Sequence, residues 1–549
     1  MVEVLIEAHA SFPHCCHARS HGHVAATVLA AVAAALAATA AKADGGADRN
    51  CFLLMPEPLS VPPIADEDVA TMRRHFLANL NLHGTGAVIA SPGETPALDS
   101  FGVEGGYRFD WMRDAALSVI ALMHLADSTV GKVGNEAWVT ENTISEVLGA
   151  YMQWVEKVVS KDGMQLHHPS GSLDAHSEPK WGLHQALPYR QNWCRPQTDG
   201  PALRAQALML YGNRSSASRD HLRKLWKLVK FDLDWVAERD QINQNSCDLW
   251  EEPGDDNLLW NRMAMRTALI MGSHFARGMM DHKRAEHYLR AAQLYIGNPV
   301  LQHYKKGPYG NFVSECAVKE HISSPCHKKG KEVDGAVILS FVHSGWLELA
   351  EPVGLTLAPA SLPASEAVAE TVRLYNERFC KTYSINQEDT KSGLPGILYG
   401  RYVADQYGGG NPWVLITAAL ASLFYQAAQA VAWGAPVEHR QLAAWREAFN
   451  SHSFGATAAE FVAAGDSVLV RLKEHIKHGG FHLYEQIGRK SGHQYNAKDL
   501  TWSYAEVLSA LVEREKALDW TPYQTERRLG GSKTLVGGAQ GNLPIEHLI

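Results

Sequence analysis

A chain of 549 residues with 46% apolar and 20% charged residues has enough apolar matter for a large packed core, which excludes a disordered or low-complexity protein. Its formal charge of −8 and pI near 6.4 exclude a broad phosphate-binding surface, because displacing counterions takes a basic stripe, so nucleic acid is not an expected partner. Fifteen Trp and eighteen Tyr mostly serve a core, but flat aromatic faces also suit sugar rings.

The first 43 residues differ from the rest. Val24 to Ala43 is almost wholly Ala, Val and Leu and closes on Ala41-Lys42-Ala43, after a long leading stretch whose one Arg or Lys is Arg19. That is the form of a secretory signal with a small-residue cleavage site, and an uncleaved signal anchor is the alternative. The mature chain is therefore expected to be secreted, with no stable membrane insertion once the signal is cut. His14, Cys15, Cys16, His17, His21 and His23 precede this segment and match no tetrahedral spacing, so no metal is assigned to them. Six Cys follow the signal: Cys51, Cys194, Cys247, Cys316, Cys326 and Cys380. An even count in an exported chain permits disulfides, and Cys316 and Cys326 bracket a short polar loop, although spacing leaves the pairing open. Asn213-Arg214-Ser215 is a glycosylation acceptor.

Helical periodicity dominates the remainder. Ile144, Val147, Leu148, Tyr151, Met152, Val155, Val158 and Val159 form one stripe, and Leu222, Leu225, Trp226, Val229, Leu233 and Val236 form another. Similar stretches begin near Asp114, Pro201, Met263, Arg284, Ser365, Pro412, Ala456 and Leu500, while alternating strand patterns are scarce. About ten to twelve helices between residues 65 and 520, without a long linker, make residues 44–525 one all-α domain. Periodicity alone does not choose between a closed ring and a stack of helix pairs. The Gly-rich tail, 526–549, is too short for a further domain.

Between these helices, five segments gather acids, Arg and Trp in loops, where catalytic groups usually sit. Tyr107-Arg108-Phe109-Asp110-Trp111-Met112-Arg113-Asp114 leaves a Gly-rich loop and enters a helix, so Asp114 is either a helix cap or a site residue. Trp193 stands before Cys194-Arg195-Pro196-Gln197-Thr198-Asp199-Gly200-Pro201, where Pro201 suits a first helical turn. Asp248-Leu249-Trp250-Glu251-Glu252 crowds three carboxylates, and their repulsion should raise at least one pKa, as a general acid requires. A solvated acidic turn is the plainer explanation of the same run. Arg401 to Asp405 leads into Gly408-Gly409-Gly410-Asn411-Pro412-Trp413, a tight turn that lacks the strand and spacing of a dinucleotide fingerprint. Tyr484-Glu485-Gln486 and Leu500-Thr501-Trp502-Ser503-Tyr504 complete the set.

In this order, FDWMRDAAL, EPK with WCRPQTDGPALRA, CDLWEE, GRYVADQYGGGNPW and YEQ with AKDLTWSY resemble the glucoamylases of glycoside hydrolase family fifteen, over roughly residues 60 to 520. The resemblance implies an all-α (α/α)6 barrel of six inner and six outer helices with a pocket at one end, and the short Gly-rich tail is expected to leave no room for a separate starch-binding module. It implies that Glu251 is the general acid and Glu485 the general base, with Asp248 supporting the acid. By the same token Arg113, Asp114 and Arg401 would hold the terminal glucose, and Glu252, Lys180 and Trp413 would make further sugar contacts. Tyr107 and Trp111 would flank the scissile bond, and Trp193 would contact substrate from its loop. Cys194, Arg108 and Ala404 depart from the fungal pattern of Gly, an aromatic and an acid, at positions that bear on the pocket edge.

An enzyme of this kind inverts: one carboxyl protonates the leaving oxygen while the other activates water, with about 6.5 to 9.5 Å between them. The implied product is β-glucose from starch, glycogen and maltooligosaccharides, by α-1,4 and more slowly α-1,6 cleavage. A monomer without cofactor or metal is expected, since neither an HExxH nor an aspartate-rich calcium loop occurs. Trehalose or α-1,6-dextran cleavage, or a barrel that binds carbohydrate without turnover, are the rival functions.

Overall fold

The computed structural model describes residues 50–93, 106–132, 141–165, 173–214, 219–238, 246–252, 257–294, 302–317, 331–344 and 365–530. The signal-like segment, the His/Cys cluster before it, Ser215 of the glycosylation acceptor and Cys326 lie outside these residues.

Two kinds of helix alternate along the chain. The first kind comprises α1 (Asp66–Ala78), α3 (Glu141–Val159), α5 (Arg219–Ala237), α7 (His282–Leu294), α9 (Glu366–Thr382) and α13 (Ala458–Ile476), most of which keep a solvent face while α13 is largely buried. The second kind is enclosed: α2 (Met112–Ala126), α4 (Asp199–Arg214), α6 (Leu259–Gly278), α8 (Gly335–Ser344), α11 (Val414–Ala432) and the first turns of α14 (Thr501–Gly530). Short α10 (Ser384–Lys391) and α12 (His439–Ala448) are additions to this alternation.

The enclosed helices close a ring, with α2 on α4, α4 on α6, α6 on α8, α8 on α11, α11 on α14 and α14 back on α2. Outside it, α3 packs on α2, α5 on α4, α7 on α6, α13 on α11 and α1 on α14. This is the (α/α)6 barrel. An inner helix meets two ring neighbours, an outer helix and the barrel axis, so it has no polar face to spare. Helix α11, buried almost throughout, shows the result, as does α8, whose run Gly-Ala-Val-Ile-Leu-Ser-Phe-Val has no helical period for a sequence reading to find. Fourteen α-helices therefore stand among the described residues where periodicity predicted ten to twelve, and α14 continues past the boundary set at residue 525.

Among the described residues three antiparallel pairs supplement the helices: β1 (Asp110–Trp111) with β2 (Lys180–Trp181), β3 (Tyr304–Gly307) with β4 (Gly310–Val313), and β5 (Gln486–Ile487) with β6 (Gln494–Tyr495). All are too short to alternate visibly in sequence.

Disulfides join Cys51 to Cys380 and Cys194 to Cys247, and Cys316 is also disulfide-bonded. The first spans 329 residues and fastens the N-terminal arm, whose Phe52 packs on Phe424 and Phe449, to helix α9. Replacing both Cys51 and Cys380 by Ser should lower stability by about 2–4 kcal/mol, because the unfolded chain regains loop entropy. Denaturant titration reads this as a lower midpoint.

Candidate active site

Because inner and outer helices alternate, all six inner helices run in one direction, and the loops entering them collect at one end of the ring. Each of these loops carries part of the site: Asp110 to Asp114 enters α2, Lys180 to Asp199 enters α4, and Asp248 to Glu252 precedes α6. Lys331 to Asp334 enters α8, Arg401 to Trp413 enters α11, and Glu485 to Asn496 precedes α14. Six helix N-termini thus turn their partial positive charge toward a cluster of carboxylates.

The acid-bearing loop is a tight turn held by Asp248, whose Oδ1 accepts the backbone N–H groups of Trp250 (3.0 Å) and Glu252 (2.8 Å). Its Oδ2 accepts from the Nζ of Lys331, which also reaches Glu252 Oε2 at 2.8 Å. Glu251 occupies the left-handed region at φ +63°. For a residue with a side chain such a conformation costs about 1–3 kcal/mol and tends to mark functional positions. Its Oε1 accepts from Arg113 Nη2 at 3.1 Å. The same guanidinium faces Asp199 at 3.3 Å, Asp114 at 3.4 Å and the Gln197 side-chain oxygen at 3.0 Å. Burial, then the charges of Glu251 and Asp199, push the Asp114 carboxyl up to about 7 against the pull of Arg113. One cation thus faces three carboxylates, those of Asp114, Asp199 and Glu251. Asp114 itself lies buried in the first turn of α2 beside Arg113, and the N-cap position belongs to Trp111, so Asp114 is not the helix cap.

The repulsion expected among Asp248, Glu251 and Glu252 is offset by Lys331, which is 1% exposed. Burial pulls its ammonium down, but the carboxylates of Asp248, Asp334 and Glu252 outweigh that and hold it charged. Tyr402 donates to both oxygens of Glu252, at 2.8 and 3.0 Å, and Arg401 lies 3.6 Å from it. The Arg401 guanidinium forks onto Asp405 and stacks within 5.1–5.5 Å of the rings of Trp250, Tyr402, Tyr407 and Trp413. Gly408, Gly409 and Gly410 all have positive φ. A Cβ on Gly408 would lie 2.5 Å from the Gln486 side chain and one on Gly410 2.1 Å from the Asp405 carbonyl oxygen, so this turn needs glycine for both conformation and space.

Glu485 is 2% exposed. Tyr107 donates to its Oε1 at 2.7 Å, while Gln486 (3.1 Å) and Asn496 donate to Oε2. Three donors converge on it, which is the environment of an ionised carboxylate, an acceptor only. Burial pushes the carboxyl up to about 7 against the pull of Tyr107, Arg401, Asn496 and Gln486. Activity that needs the ionised form should therefore rise with pH as this group loses its proton. Tyr107→Phe removes the strongest of these lowering contributions, so the acidic limb of the kcat/KM profile should move to higher pH, and initial rates across a pH series check it.

Tyr107 also pairs its hydroxyl with that of Tyr407 and lies 6.0 Å from the Trp111 ring. Trp111 in turn is 6.2 Å from Trp193. Lys180 is enclosed by Phe109, Trp111, Tyr189 and Trp193, its Nζ 4.2–4.5 Å from each ring centroid. In this box the ammonium orients the two Trp rings by cation–π attraction. Trp250 and Trp413 are 5.6 Å apart, and the indole nitrogens of Trp193 and Trp413 are buried without a hydrogen-bond partner. The Cys194–Cys247 bond ties the Trp193 loop to the Asp248 loop.

All twelve residues singled out in the sequence thus border one contiguous cluster. Lys331, Asp405, Tyr407, Gln197, Asp199 and Asn496 belong to it as well. Asp199, Gln197 and Asp405 lay inside quoted motifs, whereas Lys331 stands in a polar stretch with no pattern, and only the folded chain brings it to Asp248.

A helical barrel with Arg-held carboxylates, clustered Trp rings and a carboxylate fed by three donors at one end has the build of an (α/α)6 glycoside hydrolase. The model of glycosyl hydrolases family 15 matches residues 77–512, and the chain belongs to that family. It is 29% identical over 467 residues to glucoamylase-1 of Schizophyllum commune, covering 81% of this chain and 72% of that protein. To a glucoamylase of Blastobotrys adeninivorans it is 26% identical over 507 residues, covering 84% and 73%. The solved family 15 glucoamylase from Hypocrea jecorina superposes with a TM-score of 0.65 at 25% identity, covering 82% of this chain and 72% of that one.

Proposed function

We propose that this protein is an exo-acting, inverting glucoamylase that releases β-D-glucose from the non-reducing ends of starch, glycogen and maltooligosaccharides. Cleavage is of α-1,4 bonds and, more slowly, of α-1,6 bonds. The observation that carries the reading is the contrast between the two carboxyls. Glu485 receives three hydrogen-bond donors, whereas Glu251 sits in a cluster with more carboxylates than cations.

In the proposed reaction Glu251 gives its proton to the glycosidic oxygen as the C1–O bond breaks. Water on the opposite face of the ring loses a proton to Glu485 and adds its oxygen to C1, which inverts the anomeric centre. Arg113, Asp114 and Arg401 hold the terminal glucose, with Glu252 and Trp413 adding contacts. Sugar hydroxyls would accept from the Trp193 and Trp413 indoles, whose burial without a partner otherwise costs about 1–3 kcal/mol each. Tyr107 and Trp111 flank the reacting carbon, and their electron-rich faces suit the positive charge that develops there. No step calls for a metal. In the same proposal residues 1–43 are a secretory signal, 44–525 form the catalytic domain, and the enzyme acts as a secreted monomer.

Initial rates on maltose, maltoheptaose, soluble starch, trehalose and α-1,6-dextran test the substrate class. Maltoheptaose and starch should be the best substrates, with glucose as the only product. Preference for trehalose or dextran would reassign the linkage, and no turnover of any of them would leave only a binding role.

A further inference from the structure

Outside the residues that carry the chemistry above, three metal-ligating side chains meet beside outer helix α1. They are His75, His482 and Asp499, each with a ligand atom within 4.8 Å of those of the other two. Each comes from a different segment: His75 from the last turn of α1, His482 from the stretch that leads into Glu485, and Asp499 from the residues just before α14. No spacing motif announces such a set, which only the folded chain assembles.

The backbone around the three is held in place. Asn79, one helical turn beyond His75 and on the same side of α1, donates to the Asp499 carbonyl oxygen at 3.0 Å and to Thr501 Oγ1 at 2.9 Å. Gln494 donates to the His482 carbonyl oxygen at 2.8 Å, and the Leu483 N–H donates to the Tyr504 hydroxyl at 3.0 Å. That hydroxyl donates in turn to Asp499 Oδ1, the kind of outer hydrogen bond that orients a ligating carboxylate. Asp499 itself occupies the left-handed region at φ +56°, which is costly for a residue with a side chain and tends to mark functional positions.

A plain hydrogen bond accounts for two of the three residues, since His482 Nδ1 lies 2.7 Å from Asp499 Oδ1. It does not account for His75. The two imidazole rings stand 4.0 Å apart, where they would repel if both were charged, and no hydrogen bond among the described residues holds the His75 nitrogens. Two imidazoles with one carboxylate are a ligand set for zinc, which takes His nitrogen at about 2.0–2.1 Å and Asp oxygen at about 2.0–2.2 Å. Donors around a tetrahedral ion of that size stand about 3.4 Å apart, so donors within 4.8 Å close on it by small side-chain rotations. All three side chains are partly exposed, which leaves room for those rotations and a way in for the ion. Calcium, which prefers six to eight oxygens, does not fit the set.

We propose that His75, His482 and Asp499 form a structural site for a zinc-class divalent ion, with water in the fourth position, that clasps α1 to the segment leading into Glu485. One ion ties three separate segments, so its effect falls on stability and not on bond cleavage. The site is independent of which glycan the protein cleaves.

The test titrates zinc chloride into the EDTA-treated and dialysed protein by calorimetry, alongside His75→Ala, His482→Ala and Asp499→Asn. Loss of an outer-shell partner already costs metal sites about 10–100-fold in affinity, so loss of a ligand should cost about 100-fold or more. Zinc at about a hundred times its Kd should raise the unfolding temperature of the wild type by about 3 °C. The variants should hardly respond, and calcium should have no effect on any of them. A cooperative melt without zinc shows that a variant is folded, and His75→Ala, at a partly exposed helix position, is the one least able to disturb the fold. Unchanged zinc affinity in folded His75→Ala would place any bound ion elsewhere and overturn the site. A wild type that zinc neither binds nor stabilises, or that calcium stabilises as well as zinc does, would overturn it too.

Discussion

Glu251→Gln should lower kcat on maltooligosaccharides by about 10²–10⁴-fold, the usual contribution of a positioned general acid. The amide keeps the shape of the side chain and its acceptor toward Arg113, 3.1 Å away, but has no proton to give. The surrounding turn should persist, since it is held by Asp248 and its backbone hydrogen bonds and not by Glu251. A glucosyl donor whose leaving group needs no protonation, such as α-glucosyl fluoride, should lose much less. That difference separates an acid from a base: Glu485→Gln should be poor on both substrates, because the attacking water still has to lose its proton. Steady-state rates on maltose and the fluoride check the pattern. Equal losses on both substrates in Glu251→Gln would remove it from the acid role.

Lys331→Met should be the second large effect. Its ammonium is the shared partner of Asp248 and Glu252, and all three lie at the floor of the acid loop. Taking away Lys331 leaves the buried Asp248 carboxylate without the cation that balances it, whereas Glu252 keeps Arg401 and Tyr402, and breaking a buried pair in this way costs about 3–5 kcal/mol. The turn can respond in two ways, by taking up a proton on Asp248 or by opening toward water. Both disturb Glu251, which holds a left-handed backbone conformation within this turn. The expected outcome is a loss in kcat/KM of about 100-fold or more together with a lower unfolding midpoint. Near-normal kinetics in Lys331→Met would show that the two backbone hydrogen bonds to Asp248 suffice to hold the turn.

The sequence already carried the segments that meet at the candidate site and most of the helices, for different reasons. Outer helices such as α3 and α5 announce themselves because one face meets the ring and the other meets water, which imposes the 3.6-residue period. The inner helix α8 has neither a polar face nor a period, and α10 and α12 are too short to build a convincing stripe. Closure of the ring was not readable from periodicity either, since it depends on α14 returning to α2. At the site, clustering of Arg, Trp and acids within single loops marked five segments, and the resemblance to family fifteen glucoamylases picked out Arg113, Glu251, Arg401 and Glu485 within them. The charge balance did not show, because the cation that neutralises Asp248 comes from position 331. The sequence pointed to crowding of like charges as the source of acidity near Glu251. In the folded chain the crowded carboxylates are those around Arg113, where Asp114 and Asp199 share one guanidinium with Glu251, and it is the Asp114 carboxyl that burial and these neighbours push up. Disulfide pairing was equally hidden, and the Cys194–Cys247 bond turns out to join two loops of the site.

The most direct test of the central claim is proton NMR of the first sugar released from maltoheptaose by the purified enzyme, before mutarotation erases its anomeric form. Inverting exo-hydrolysis predicts glucose alone, appearing as the β-anomer and converting to α only afterwards. Initial α-glucose, or maltose and longer products in the first minutes, would contradict the proposed roles of Glu251 and Glu485.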